Sequence, residues 1–156
     1  MIEIQVLRPD DWSLWRELRL RALTESASAF GSTLAEWSGP GDTEQRWRAR
    51  LTDVPLNVIV RLDGMPVGMA GAYIRDDEAA ELISLWVAEP ARGRGVGDAA
   101  VRAVVDWAGR RDVVLSVKSG NDSAIALYLR HGFVDAGPSP DDDSERFMRR
   151  VQRKVG

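Results

Sequence analysis

The sequence predicts an α/β (α+β) domain, with helices packed on a mixed, mostly antiparallel sheet of about six to seven strands flanked by about four helices. Three observations carry that expectation. Strand-like and helix-like segments follow one another in the order β-α-α-β-β-β-α-β-α-β-β, so hairpins stand beside helical crossovers. Asp63-Gly64 lies between two apolar runs, a strong hairpin signal because a type I′ turn needs positive φ at both central residues. The chain has 156 residues with no internal repeat, low-complexity tract or linker, which is one domain over residues 1–156.

The elements follow in order. Residues 2–7 alternate, with Ile2, Ile4 and Val6 on one side, as in a strand. Asp10 or Asp11 is placed to cap a helix running to about Thr24, in which Trp12, Trp15, Leu18 and Leu23 stand near helical spacing. Residues 26–41 are rich in Ser, Gly and Ala and predict an irregular loop. Asp42-Thr43-Glu44-Gln45 then matches a capping box that opens a short helix to about Leu51. Strands are expected over Leu56–Leu62, Met65–Ile74 and Glu81–Val87, the last entered through the turn Asp76-Asp77-Glu78. Gly95–Gly109 predicts a helix with Gly97, Val101, Val104, Val105 and Ala108 on one face. A short apolar strand at Val113–Val117 leads to a helix over 121–131, stopped by Gly132. Phe133–Ala136 and Arg146–Val151 are expected as closing strands joined by Pro138–Ser144.

Composition removes several chemistries at once. There is no cysteine and one histidine, His131, so disulfides, thiolate zinc sites, thiol nucleophiles and multi-histidine metal sites are excluded. No metal is expected. A net charge of −3 argues against nucleic acid as a partner, which calls for a basic footprint. No run approaches the ~20 apolar residues of a membrane span, and the N-terminus lacks signal-peptide regions. The expected location is cytoplasmic, with no membrane partner.

The most informative segment is Val87-Ala88-Glu89-Pro90-Ala91-Arg92-Gly93-Arg94-Gly95-Val96-Gly97-Asp98. A strand ends at a proline, a turn carries alternating glycines and arginines, and a helix begins. Glycines admit an anion close to backbone N–H groups, the helix N-terminus adds partial positive charge, and the arginines add full charge. This is the chemistry of a phosphate cradle. Gly95-x-Gly97-x-x-Ala100 also fits a dinucleotide fingerprint, but the next strand, Val113–Val117, ends in Lys118-Ser119 where a ribose-binding acid is needed. The preceding elements are hairpins rather than βα units, which weakens that reading further.

Arg92-x-x-Gly95-x-Gly97 resembles the Q/R-x-x-G-x-G/A pyrophosphate loop of the GNAT superfamily, the acyl-CoA-dependent N-acetyltransferases. The run Val87-x-x-Pro90-x-Arg92-Gly93-x-Gly95 strengthens the match. A second segment, Asn121-x-x-Ala124-x-x-x-Tyr128-x-x-x-Gly132-Phe133, is similar to that family's N-x-x-A-x-x-x-Y-x-x-x-G-F pattern. Both motifs occur in the family's order and within the matching succession of elements.

The resemblance implies a GNAT fold and transfer of an acetyl group from acetyl-CoA directly to a primary amine, on a small molecule or a protein, in a ternary complex. The alternative is a non-catalytic acyl-CoA-binding or sensing domain. By resemblance, the backbone N–H groups of Arg94, Gly95 and Gly97 cradle the pyrophosphate while Arg92 and Gly93 shape the loop. Leu85 and Val87 pair with pantetheine, the Leu85 N–H polarising the thioester carbonyl. Asn121 contacts the pantetheine arm, and Tyr128 is the general acid for the departing thiolate.

An alkylammonium must lose a proton before attack, at a cost of about 4.6 kcal/mol at pH 7. Glu81 stands eleven residues before Arg92, the offset of the catalytic glutamate in the histone-acetyltransferase branch, and is the candidate general base acting through water. Strand alternation puts it on one face with Ile83, Leu85 and Val87. Glu36 is the reserve, and His131 is expected to pack or cap beside Gly132. Acceptor choice is assigned by resemblance to residues 26–41 and 138–145. The acidic Asp141-Asp142-Asp143 with Glu145 would favour a cationic acceptor, and Trp37 and Trp86 could wall a pocket. The family also leaves room for a homodimer through the exposed edge of the final strand.

Overall fold

A central sheet is favoured by segments rich in β-branched and apolar residues, such as Leu56–Leu62 and Val113–Lys118, and the helices bury apolar side chains against it. The computed structural model describes residues 1–25 and 33–152. Its elements are β1 (Ile2–Val6), α1 (Trp12–Glu25), α2 (Glu44–Asp53), β2 (Leu56–Leu62), β3 (Met65–Ile74), β4 (Ala80–Val87), α3 (Val96–Ala108), β5 (Val113–Lys118), α4 (Asp122–Arg130), β6 (Val134–Pro138) and β7 (Glu145–Arg150). Among the described residues the strands form one seven-stranded sheet in the order β1-β2-β3-β4-β5-β7-β6. All neighbours are antiparallel except β4 and β5. The expected fold class and element order are those observed.

Local sequence explains most boundaries. Asp63 and Gly64 have φ of 50° and 85°, as the β2–β3 hairpin turn requires. Gly95 (φ 86°) and Gly109 (φ 64°) flank α3, so the glycines expected at the ends of that helix are its caps. The Asn121 side chain accepts from the Ala124 N–H and caps α4.

Three local expectations are corrected. Neither Asp10 nor Asp11 caps α1, which is entered through a 3₁₀ turn at Pro9–Asp11 with the Asp11 carboxylate reaching back to the Arg8 N–H at 2.8 Å. Thr43, not Asp42, caps α2 by accepting from the Arg46 N–H. Asp42 is drawn away by a stronger partner, the Arg16 guanidinium at 2.5 Å, and also accepts from Trp47 Nε1 at 2.8 Å. Those contacts hold its carboxyl down at about 2. The final strand β7 is not an edge: it is inserted between β5 and β6, because it pairs with β5 from Val113–Arg150 to Lys118–Glu145. The free edge on that side is β6.

The sheet separates two cores. On one face, Val96, Val101 and Val104 of α3, Leu127 of α4 and Phe133 just beyond it pack against Val58, Val60, Leu82 and Leu115. On the other, α1 and α2 pack Trp15, Leu18, Trp47 and Leu51 against Ile59, Met69 and Trp86. Fully burying an aliphatic or Phe side chain contributes on the order of 1.5–3 kcal/mol, so both layers are held firmly to the sheet. Trp37 stacks on Trp47 with centroids 4.5 Å apart and lies under Arg46. It is therefore part of the α2 layer and not a pocket wall.

Candidate functional site

The site originates in an incomplete sheet. β3 stays paired with β4 as far as Gly68–Val87, and β5 with β7 as far as Lys118–Glu145. β4 and β5 pair only at Ala80–Val113 and Glu81–Val114 among the described residues. Beyond those pairs the strands part, leaving a wedge that opens towards the C-terminal ends of both.

A bulge falls at the mouth of the wedge. The β3–β4 register shifts between Met69 and Gly71, and Ser84 opposite has φ 60°. One extra residue in β4 reverses which way the following side chains point. Ala80 and Leu82 face the α3–α4 core before it, Leu85 and Val87 face that core after it, and Trp86 faces the α1–α2 core. This corrects the expected alternation, since Glu81 and Ile83 lie on the face opposite Leu85 and Val87. A bulge carried by a serine leaves no periodic trace, which is why alternation misplaced them.

On the α3–α4 side the wedge widens into a cleft of about 1030 Å³. Its floor is Leu85, Trp86 and Val87, and one wall is Arg92, Gly93, Gly95, Gly97 and Asp98. After β4, a 3₁₀ turn at Glu89–Ala91 is followed by Gly93 at φ 75° and Gly95 at φ 86°. Two left-handed glycines turn successive N–H groups towards one point. The Ala99 N–H is the first to bond within the helix, to Gly95 O at 3.0 Å. The N–H groups of Val96, Gly97 and Asp98 therefore precede the ladder and carry its positive end. Arg92 Nε donates to Val87 O at 3.1 Å, fixing the guanidinium beside the loop. A Cβ on Gly97 would meet Leu127 Cδ2 at 3.0 Å, so this glycine lets α3 and α4 approach. Arg94 lines neither cleft, and Asp63 feels its charge instead.

The opposite wall comes from β5 and α4: Lys118, Ser119, Gly120, Asn121, Ala124 and Arg130. Arg130 and His131 converge on Asp98, at 3.2 and 2.8 Å. The His131 hydrogen bond and the Arg130 guanidinium hold the Asp98 carboxyl below its usual range, against partial desolvation. His131 thus ties the end of α4 to the first turn of α3, the packing role expected of it. No role was expected of Lys118, Arg130 or Asp98. Their signal was charge at the end of a strand and at the two ends of neighbouring helices.

A second cleft of about 390 Å³ lies across the wedge, lined by Glu81, Ile83, Ser84, Leu85, Asn121, Ala124, Tyr128 and Asp141, with Arg19 from α1 and Arg50 from α2. Leu85, Asn121 and Ala124 border both clefts, so the two meet there. The Glu81 carboxylate is 3.3 Å from Arg75 Nη1, and its charge and hydrogen bond, after desolvation, help push the half-buried Tyr73 hydroxyl up to about 12. Tyr128 is 5% exposed and packs against Phe133 at 5.7 Å. Burial raises its hydroxyl pKa well above the usual value, so the phenol keeps its proton at neutral pH. Glu36 borders neither cleft, and its carboxylate is turned to the Thr33 hydroxyl. Of the acidic loop, Asp142 and Glu145 pair with Lys118 at 3.2 and 3.5 Å, and only part of the charge is left for a ligand. Residues 26–32 of the other expected specificity segment lie outside the described residues.

Residues 12–133 match the model of the acetyltransferase (GNAT) family. The chain belongs to the GNAT family of acetyltransferases. Within that family it is similar to a mycothiol acetyltransferase of Corynebacterium efficiens, 38% identical over 73 residues, covering 45% of this chain and 25% of that protein. The chain thus matches only a quarter of that relative's length. Solved GNAT folds superpose over nearly the whole chain. An acetyltransferase of the GNAT family from Streptococcus pneumoniae has a TM-score of 0.77 at 18% identity, covering 98% of this chain and 100% of the other. The PaiA N-acetyltransferase of Thermoplasma acidophilum, solved in complex with coenzyme A, has a TM-score of 0.75 at 16% identity, covering 97% and 99%. Among the described residues no group of His, Cys, Asp and Glu could hold a metal ion, and no helix is long and apolar enough to cross a membrane.

Proposed function

We propose that this GNAT domain is an N-acetyltransferase that binds acetyl-CoA in the larger cleft and presents a primary amine from the smaller one. The observation that carries the reading is the pair of left-handed glycines, Gly93 and Gly95, opening the N-terminus of α3 into a cleft walled by Arg92, Lys118 and Arg130. That set of donors suits a pyrophosphate: backbone N–H groups at a helix end with cations around them. The N–H groups of Gly95 and Gly97 are its closest contacts, with Gly93 and Arg92 fixing the turn. Arg94 contributes backbone alone. The parted edge of β4 at Leu85 and Val87 suits the amide-bearing pantetheine arm, as does the Asn121 amide nitrogen, the half of that side chain not used in capping α4.

The reacting groups then meet where the clefts join. The amine loses a proton through water to Glu81 and attacks the thioester carbonyl carbon, whose developing oxyanion is met by the Leu85 N–H. The C–S bond breaks as the carbonyl re-forms, the Tyr128 hydroxyl gives its proton to the departing sulfur, and the second proton lost by the attacking nitrogen returns through water to Tyr128, leaving a neutral amide and a free thiol. The phenol is protonated at neutral pH, so it has a proton to give. No protein nucleophile is needed, consistent with a chain that has no cysteine.

The test is a binding titration followed by a turnover panel. Acetyl-CoA is expected to raise the melting temperature, and amines or peptides in the panel to release free thiol from it. The absence of saturable acetyl-CoA binding would overturn the reading.

A further inference from the structure

The smaller cleft contains two arginines that the proposed chemistry does not use. Arg19 is 5% exposed and stands where α1 is otherwise apolar, with Trp15, Leu18, Ala22 and Leu23. Arg50 enters from the last turn of α2, its guanidinium 4.8 Å from the Trp15 ring centroid. The socket is specific to it: a Cβ on Gly71 would come within 2.8 Å of Arg50 Nη2. Among the described residues its one hydrogen-bond partner is the Ser84 hydroxyl at 3.2 Å, and its Nε is buried with no partner. Burial depresses both guanidiniums to about 10, and for Arg50 the neighbouring charge of Arg19 adds to the effect. Both remain protonated at neutral pH. A buried guanidinium such as that of Arg50, with an Nε that meets no acceptor among the described residues, is costly unless an anion joins it.

Opposite them, Glu81 and Asp141 border the same cleft. The pocket is therefore bipolar, cationic where α1 and α2 meet the sheet and anionic towards β4 and the β6–β7 loop. From this geometry we propose that the acceptor is a small amine that also carries a carboxylate. The carboxylate is held by Arg50 with Arg19 beside it, and the ammonium is turned towards Glu81 and the junction at Leu85. The cleft volume of about 390 Å³ lies within the range of small-ligand sites, roughly 300–1,000 Å³. This narrows the expectation drawn from the acidic loop: the ligand is cationic at one end only. The inference rests on the acetyl-transfer reading for its turnover arm but not for its binding arm.

The probes are α- and ω-amino acids, each paired with its own carboxamide. An amino acid amide has the more readily deprotonated amine, so a preference for the acid runs against intrinsic reactivity. Thiol release from acetyl-CoA is expected to give kcat/KM at least tenfold higher for the acid than for its amide, in keeping with a charge-assisted hydrogen bond. Arg50→Met should bring that ratio close to one, and Arg50→Lys should restore part of it. The wild-type acid-to-amide ratio needs no variant, so a misfolded mutant does not shelter the idea. A thermal shift produced by the acid and not by the amide, read without cofactor, reports the arginine site separately. Failure of acetyl-CoA to bind sinks the transferase reading while leaving that shift to be judged. Acetyl-CoA binding with amides used as well as acids, or with no carboxylate-bearing amine giving a shift or turnover, overturns this inference alone.

Discussion

The two clefts that meet at Leu85, Asn121 and Ala124 are built from different materials. The larger is largely backbone: glycine turns, the first N–H groups of α3 and the unpaired edge of β4. The smaller is largely side chains, from α1, α2, β4, β5, α4 and the β6–β7 loop. A backbone site depends on a short run of residues whose conformational needs are severe. A side-chain site can be assembled from any positions the fold brings together. The first therefore leaves a contiguous motif, and the second leaves none.

Three experiments press on that contrast. The largest effect is expected at the junction, where Tyr128→Phe should lower kcat about a hundredfold, within the range for one general acid. The same variant should leave the acetyl-CoA-induced rise in melting temperature in place. An unchanged kcat would favour a non-catalytic acyl-CoA sensor, and a lost thermal shift would move Tyr128 into the binding wall. Next comes the glycine cleft: Arg92→Ala should weaken acetyl-CoA by about tenfold by isothermal titration, as expected for one charge-assisted contact. Arg94→Ala, whose side chain borders neither cleft, is the matched control. Equal losses in the two would mean that diffuse charge rather than a shaped turn holds the ligand.

The smallest effect concerns the strut between α3 and α4. The Asp98 carboxyl is held below its unfolded value by His131 and Arg130. Its contribution to stability is thus present above about pH 4, the unfolded carboxylate value, and is lost as pH falls through the lower folded value. Asp98→Asn should lower the melting temperature by a few degrees at pH 7, with the gap to wild type closing below about pH 4. A gap that stays constant with pH would assign the loss to shape instead of charge.

The same distinction explains how much could be read from the chain. Element order, the Asp63-Gly64 hairpin and the helix caps at Gly95, Gly109 and Asn121 were legible because each needs a particular residue at a particular place. The glycine loop and the Tyr128 helix were legible for the same reason. Ser84 was not: a serine at φ 60° has no sequence signature, and that single residue turned Glu81 to the other face from Leu85. Asp42 looked like a cap because caps are local, while its real partner, Arg16, is on another helix. Arg50 could not be read at all, since its meaning depends on Trp15, Gly71 and Ser84 converging from three other elements. Arg19 was nearer to visible, as an arginine on the apolar stripe of α1.

The parting of β4 from β5 has a mechanical consequence. Among the described residues, the segment carrying β5, α4, β6 and β7 is paired to the rest of the sheet at Ala80–Val113 and Glu81–Val114, and α3 packs on α4 across the gap beyond them. A narrow seam at one end of a long gap behaves as a hinge. A molecule threaded between the strands, bonding to the bare edge of β4 and bearing on α4, would act as the missing stitch and stiffen the joint. Amide exchange along residues 82–87 would then slow when the donor is bound and resume when product leaves. On that view the ligand is a temporary strand of the sheet as well as a reactant.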